Sequence, residues 1–282
     1  MLTPLTQPLI PLTDAEFALF QKLIYEWAGI HMGHTKQALV TGRLMKRVRH
    51  YGFNSFSEYL KLVRDEAHAD EKQVMINLLT TNETYFFREP KHFAWLKRKL
   101  ASHPQGETFR LWSAACSSGQ EVYSLAMVLA DTLGARPWQI VGSDISEKIL
   151  EIAMRAIYPI EQAAQISPEY LKRFCLKGVR EAEGTFCIQG DLLKNIRFLQ
   201  INLIAALPPS LGEFDAIFLR NVMIYFDRET RQKVSENLAR YLKPGGHLVI
   251  GHAESLHGIS ARLKAVEPTI YTVSDKGDGT GR

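Results

Sequence analysis

Trp112-Ser113-Ala114-Ala115-Cys116-Ser117-Ser118-Gly119-Gln120-Glu121 carries a strand into a helix through a run of small side chains. Before it, Phe109-Arg110-Leu111-Trp112 reads as a short strand. After it, Glu121 to Leu133 has the apolar spacing of a helix. Small side chains let a ligand approach the backbone. The same composition also suits a tight structural turn, so the loop alone does not decide between them. The GxGxxG and GxxxxGK[ST] patterns are absent, so a phosphate ligand is not favoured.

Moving outward, Gln139-Ile140-Val141-Gly142 is a second strand ending in Gly142-Ser143-Asp144, with Ser146 placed to cap the next helix. An acidic residue at that tip can accept hydrogen bonds from both hydroxyls of a ribose. It can equally act as a helix cap. Loop and tip together imply a nucleoside ligand that needs no phosphate, a description S-adenosylmethionine fits.

Further strands are expected within Ile196 to Leu203, at Phe214 to Leu219, at His247 to Ile250 and at Ile270 to Val273. A helix is expected over Arg228 to Leu242, stopped by the turn Lys243-Pro244-Gly245-Gly246. Strand and helix alternate, which predicts an α/β fold with a mostly parallel, doubly wound, Rossmann-like sheet. Gly178, Gly184 and Gly190 interrupt this alternation and suggest a small β-subdomain insertion over residues 174–198.

The front of the chain reads differently. Thr13-Asp14-Ala15-Glu16 and Ser55-Phe56-Ser57-Glu58 are capping-box patterns. Phe17, Phe20, Ile24 and Trp27 follow the first at helical spacing, and Tyr59, Leu60 and Val63 follow the second. Val40, Leu44 and Val48 mark another helix, and Val74, Leu78 and Leu79 a further one. This predicts a small all-α domain over residues 1–79, followed by an α/β domain over residues 80–282.

The bulk composition excludes several classes. The chain has 282 residues, 46% hydrophobic and 23% charged, as in ordinary globular proteins. A net charge of +4 does not by itself imply nucleic acid. Cys116, Cys175 and Cys187 form no paired framework, which fits free thiols in a reducing compartment. The apolar N-terminus is broken by Pro4, Pro8 and Pro11 and is not read as a signal peptide. No run approaches the ~20 apolar residues of a membrane span. A cytoplasmic location is expected, and the Gly-rich tail Lys276 to Arg282 is expected to fray.

The order of motifs resembles the CheR family of chemotaxis-receptor (protein-glutamate) O-methyltransferases. The stretch Thr80-Thr81-Asn82-Glu83-Thr84-Tyr85-Phe86-Phe87-Arg88-Glu89 is similar to that family's lead into its catalytic domain. The loop Trp112 to Glu121 and the strand end Gly142 to Ser146 resemble its cofactor-binding elements. Phe218-Leu219-Arg220-Asn221-Val222-Met223-Ile224-Tyr225-Phe226-Asp227 resembles its central segment. Pro244-Gly245-Gly246 and Gly251-His252-Ala253-Glu254-Ser255-Leu256 resemble its closing motifs. The resemblance implies a class I methyltransferase fold and transfer of a methyl group from S-adenosylmethionine to receptor glutamates. It implies cofactor contacts from Asn82, Thr84, Arg88, Glu121, Asp144, Asn202, Leu203, Arg220 and Asn221, and catalytic importance for Arg88 and Tyr225. The partner implied is the cytoplasmic domain of methyl-accepting chemotaxis receptors. Nucleic acid is not expected, and the membrane is reached only through the receptor.

The chemistry asks little of the protein. A glutamate carboxylate is ionised near neutral pH, and a sulfonium leaves as a neutral thioether. No triad and no metal are therefore expected. His252 and His257 lack an evident third ligand. Trp27 to Ser57 holds no acidic residue, and Arg43, Lys46, Arg47 and Arg49 within it form a candidate docking surface for acidic receptor helices. The family's peptide-gripping members typically show Gly-x-Gly-x-x-x-Gly in the insertion. Here Arg180 stands at the middle glycine of Gly178-Val179-Arg180-Glu181-Ala182-Glu183-Gly184, which weighs against peptide tethering.

Overall fold

The computed structural model describes residues 10–274. The expected frayed tail and the N-terminal prolines up to Pro8 lie outside them. The chain divides into two units between Thr81 and Asn82, rather than after Leu79.

The first unit is helical: α1 (Asp14–Ala28), α2 (Gln37–His50), α3 (Phe56–Arg64) and α4 (Ala69–Leu79). Its local signals work as the sequence suggests. Thr13 and Glu16 form a full capping box on α1. Ser55 caps α3 by accepting from the Glu58 amide, but the Glu58 carboxylate reaches the Asn54 amide instead of closing a box. The core is built from Phe20, Ile24, Val40, Leu44, Val48, Phe56 and Tyr59, all fully buried. In α4 the buried apolar residues are Met75, Ile76 and Leu79. Val74 and Leu78 flank that face and are half-buried.

The second unit contains α5 (Pro90–Ala101), β1 (Phe109–Ala114), α6 (Gln120–Leu133), β2 (Trp138–Asp144), α7 (Glu147–Arg155), β3 (Ile157–Pro159), α8 (Pro168–Phe174), β4 (Cys175–Lys177), β5 (Thr185–Ile188), α9 (Gly190–Leu193), β6 (Ile196–Gln200), β7 (Phe214–Leu219), α10 (Arg228–Ala239), β8 (Leu242–Ile250), β9 (Leu263–Glu267) and β10 (Ile270–Val273). Seven strands form one sheet in the order β6-β2-β1-β7-β8-β10-β9. The first five are mutually parallel, and β10 and β9 add antiparallel pairs. Successive strand residues alternate between two cores. Phe109 and Leu111 join one with α5 and α6, and Trp112 and Ala114 join the other with α10. A sheet buried on both faces needs near-continuous apolar strands, as the sequence provides. Because β1 has β2 on one side and β7 on the other, the chain reverses direction there. A crevice at the carboxyl ends of these strands is where such folds bind ligands.

Three expectations are corrected. The small antiparallel sheet, ordered β3-β5-β4, begins at Ile157 and ends at Ile188, whereas Ile196–Gln200 belongs to the main sheet. The three-residue β3 is too short to show a period. α10 stops at Ala239, and β8 starts at Leu242 and runs through Pro244-Gly245-Gly246. Gly245 takes a left-handed φ of 73° there, so the sequence signal for a turn is used as a strand irregularity opposite the register shift at Phe214. β9, with one buried residue among five, carried no apolar signal.

In the β4–β5 connection Arg180 adopts φ 56°, the left-handed conformation a glycine would supply. Gly178 is held by contact: a Cβ there would lie 2.0 Å from the Ala182 carbonyl oxygen. The departure at residue 180 therefore strains the loop without abolishing its glycine-like course. No helix is long and apolar enough to cross a membrane among the described residues.

Candidate functional site

The loop after β1 is drawn over the end of β2 by backbone amides. Asp144, at that end, is buried. Its Oδ2 accepts from the Ser117 amide at 2.9 Å and its Oδ1 from the Ser146 amide at 3.0 Å. Asp144 thus serves its own loop and helix start. The Ile145 amide bonds it as well. A carboxylate has about four lone-pair sites, so about one remains for a ribose hydroxyl. Burial raises its carboxyl above the ordinary range, and these amides oppose the rise.

Ala115 and Ser117 take left-handed φ values of 67° and 50°, strained for residues with a Cβ. Gly119 is required for another reason than ligand approach. A Cβ there would sit 2.9 Å from the Ala153 Cβ and 3.0 Å from the Tyr158 hydroxyl, so its bareness serves packing against α7. Ser117 also donates its hydroxyl to the Asn82 carbonyl at 2.9 Å. That bond ties the loop to residues 82–89.

Arg220 follows β7 directly and is only 6% exposed. Its Nη2 donates to the Arg88 carbonyl. Its Nε lies 3.4 Å from Glu121 Oε2 and 3.6 Å from Glu89 Oε2. Nε and Nη1 of Arg220 and Glu89 Oε2 are all buried without a hydrogen-bond partner. Glu121, at the start of α6, accepts the Ser113 hydroxyl at 2.6 Å. Burial pushes its carboxyl up despite Arg220. Burial would also raise Glu89, but the bond from Asn221 Nδ2 (3.1 Å) and the Arg220 charge outweigh it and leave Glu89 below the ordinary range.

The segment after β7 is pinned by a residue to which the sequence reading gave no role. Glu254 is buried and accepts from the amides of Asn221 (3.0 Å), Ile224 (3.3 Å) and Gly251 (2.6 Å). This holds Asn221 at φ 59° and fixes the turn Met223–Tyr225, where Tyr225 is half-buried. Ser117 and Glu89 were likewise quoted only as parts of motifs. Nothing in the spacing shows that they join three segments.

The remaining predicted residues fall as follows. Arg88 is half-buried; it donates to the Glu83 carbonyl at 3.1 Å and lies 5.5 Å from the Tyr85 ring centre. Among the described residues no ion pair joins Arg88 to the neighbouring Glu83 or Glu89, and Glu89 faces Arg220 instead. Asn82 and Thr84 are half-buried on the same segment. Asn202 and Leu203 follow β6, whose last residue Gln200 pairs with Asp144. Asn202 Oδ1 accepts from the Ile204 amide at 3.2 Å, and Leu203 is buried.

In the helical unit Arg43 donates to the Leu79 and Thr80 carbonyls at 3.0 and 2.9 Å, satisfying the end of α4. Arg47 grips the buried Glu71. Lys46 and Arg49 stay exposed. Two of the four candidate docking cations are therefore engaged within their own unit.

These residues suit an S-adenosylmethionine-like ligand on one structural test. Arg220 Nη1 is a buried donor with no acceptor from the chain, as expected where a ligand carboxylate completes the bonding. Glu121 offers an anion for an ammonium or sulfonium, Asp144 keeps about one of its four lone-pair sites for a ribose hydroxyl, and Leu203 offers apolar surface.

Comparison with known proteins follows the same division. Residues 15–80 match the CheR methyltransferase all-alpha domain, and residues 82–272 match the CheR methyltransferase SAM-binding domain. The chemotaxis protein methyltransferase of Escherichia coli (strain K12) is 41% identical over 267 residues, covering 94% of this chain and 93% of that protein. The Salmonella typhimurium chemotaxis protein methyltransferase is 38% identical over 276 residues, covering 97% and 95%. Among solved structures, TrmN from Thermus thermophilus aligns with a TM-score of 0.40 and 17% identity over 64% of this chain and 47% of that one, too distant to bear on function. With both domains matched in order and S-adenosylmethionine as its cofactor, the chain belongs to the CheR methyltransferase family.

Proposed function

We propose that this protein transfers the methyl group of S-adenosylmethionine to glutamate side-chain carboxylates on the cytoplasmic domain of chemotaxis receptors, in sensory adaptation. The bound cofactor supplies a methyl carbon on a sulfonium, which leaves as a neutral thioether. The observation that carries the reading is the state of Arg88. Its bond to the Glu83 carbonyl uses one N–H, and a guanidinium has five. The others can grip an incoming carboxylate in a fixed plane. Its half-buried position on a segment anchored by Arg220 suits orientation rather than neutralisation.

The protein's task is alignment, which can remove on the order of 7–11 kcal/mol of barrier. Glu254 and Glu89 hold Asn221 and the Tyr225 turn in place, so the Tyr225 phenol can border the reacting carboxylate. Arg220 and Glu121, with Asn82 and Thr84, would hold the charged amino-acid end of the cofactor, and Asp144, Asn202 and Leu203 would hold its ribose and adenine. Lys46 and Arg49 remain for receptor docking.

The test is transfer of labelled methyl from S-adenosylmethionine to receptor-enriched membranes. Label released by mild alkali is expected, as for an ester. Label that survives alkali, or that nuclease removes, contradicts the reading.

A further inference from the structure

We propose that Glu89, His92 and His252 form a binding site for a divalent transition-metal ion, with zinc as the occupant their chemistry favours. The sequence invites a pairing of His252 with His257. Folding instead brings His252, just after β8, to the first turn of α5, where the ligand atoms of Glu89, His92 and His252 all lie within 4.8 Å of one another.

The argument rests on a proton count. His92 is only 2% exposed. Its Nε2 lies 2.8 Å from Thr269 Oγ1. That hydroxyl also lies 2.6 Å from the Pro268 carbonyl, an acceptor that can take its proton and leave its oxygen to accept from His92. In the tautomer that donates Nε2–H to that hydroxyl, Nδ1 presents a bare lone pair. Nδ1 faces Glu89 Oε2 at 3.4 Å, and both atoms are buried with no hydrogen-bond partner. In that tautomer the two are acceptors facing each other without a donor between them, which is unfavourable. A cation between them removes the conflict.

The spacing fits. Zinc bonds of about 2.0–2.1 Å set ligands about 3.3–3.4 Å apart along a tetrahedral edge, against 3.4 Å between Nδ1 and Oε2. His252 is exposed, its ring centre is 4.8 Å from that of His92, and its backbone amide donates to Glu89 Oε1 at 3.2 Å. Its side chain can swing in as third ligand while its backbone stays anchored. Two imidazoles and one carboxylate suit zinc rather than magnesium or calcium.

Thr269 is a β-branched residue at φ 64°, an outlier in backbone terms. The strain fixes the hydroxyl that orients His92, as outer partners of metal-bound histidines do. Arg220 Nε, 3.6 Å from Glu89 Oε2, opposes a second cation. The site is therefore weaker than a structural zinc site and exchangeable.

The test uses untagged, metal-stripped full-length protein titrated with Co²⁺ and followed by visible absorption. A d–d band saturating at one equivalent and bleached by Zn²⁺ is expected. His252→Ala, shown folded by circular dichroism, should lose the band. Thr269→Val should weaken binding about 10–100-fold, and Thr269→Ser should restore it. No saturable band, or a band that His252→Ala leaves unchanged, overturns the proposal and leaves a bridging water between the two acceptors.

Discussion

Each unit of the molecule buries a glutamate against an arginine, and the two clusters are finished to different degrees. In the helical unit Glu71 is 4% exposed. Its Oε1 accepts from Arg47 Nε at 2.8 Å and Tyr59 at 2.7 Å, and its Oε2 from Arg47 Nη2 and from Tyr51 at 2.9 Å. Up to Thr81, left-handed φ occurs only at Gly29 and Gly52 among the described residues. In the α/β unit the cluster around Arg220 leaves Arg220 Nε and Nη1, Glu89 Oε2 and His92 Nδ1 without partners. Around it Phe87, Glu89, Ala115, Ser117 and Asn221 are all held at positive φ. Buried charge alone therefore does not mark a functional site. Bonds left open and backbone strain held in place by neighbours do.

The contrast can be broken by substitution. The largest effect expected is on stability. Glu71→Ala leaves Arg47 without its buried partner and should destabilise the protein by about 3–5 kcal/mol in urea unfolding, with turnover per folded molecule unchanged. Arg88→Ala should do the reverse. Methyl transfer should fall by about 10²-fold or more while the unfolding midpoint barely moves. A stability loss without an activity loss at Arg88 would undo its assignment.

The two units also differ in what could be read in advance. The helical unit was legible because caps and 3.6-residue spacing are local, as at Thr13-Glu16 and Val40-Leu44-Val48. The parallel strands were legible from apolar runs such as Phe214–Leu219. The site was legible only as motifs. Arg43 and Arg47 share a helix face with Lys46, yet their guanidiniums turn to the α4 carbonyls and to Glu71, which are distant in sequence. Glu254 accepts from backbone amides on another segment, Ser117 donates to the Asn82 carbonyl and to Asp144, and Thr269 acts through its φ. None of these leaves a trace in spacing.

pH should separate the clusters more gently. The carboxyls of Glu71 and Glu16 are buried, yet hydrogen bonds hold both below the ordinary 4.5. Their contribution is present above that value and lost as pH falls through the depressed one. Glu121 is raised, chiefly by burial. Ionising it weakens the fold as pH climbs from 4.5 through its elevated value. Glu121→Gln, which keeps an oxygen for Ser113, should therefore be more stable than the parent at neutral pH, with the gap closing below about pH 4.5. Equal pH profiles in denaturant titrations would contradict this.

The smallest effect tests strain that no cluster uses. Arg180→Gly frees a left-handed residue and should stabilise the protein by about 1 kcal/mol, with methyl transfer unaffected. A loss of stability would mean that the Arg180 side chain does more than endure its backbone.

The most direct measurement of whether the open cluster holds the cofactor is calorimetric titration of S-adenosylhomocysteine into the parent protein, Arg220→Gln and Glu71→Gln. Binding is expected to weaken by about 10–100-fold in Arg220→Gln, which removes a charged hydrogen bond, and to stay at the parental value in Glu71→Gln. Parental affinity in Arg220→Gln would contradict the account.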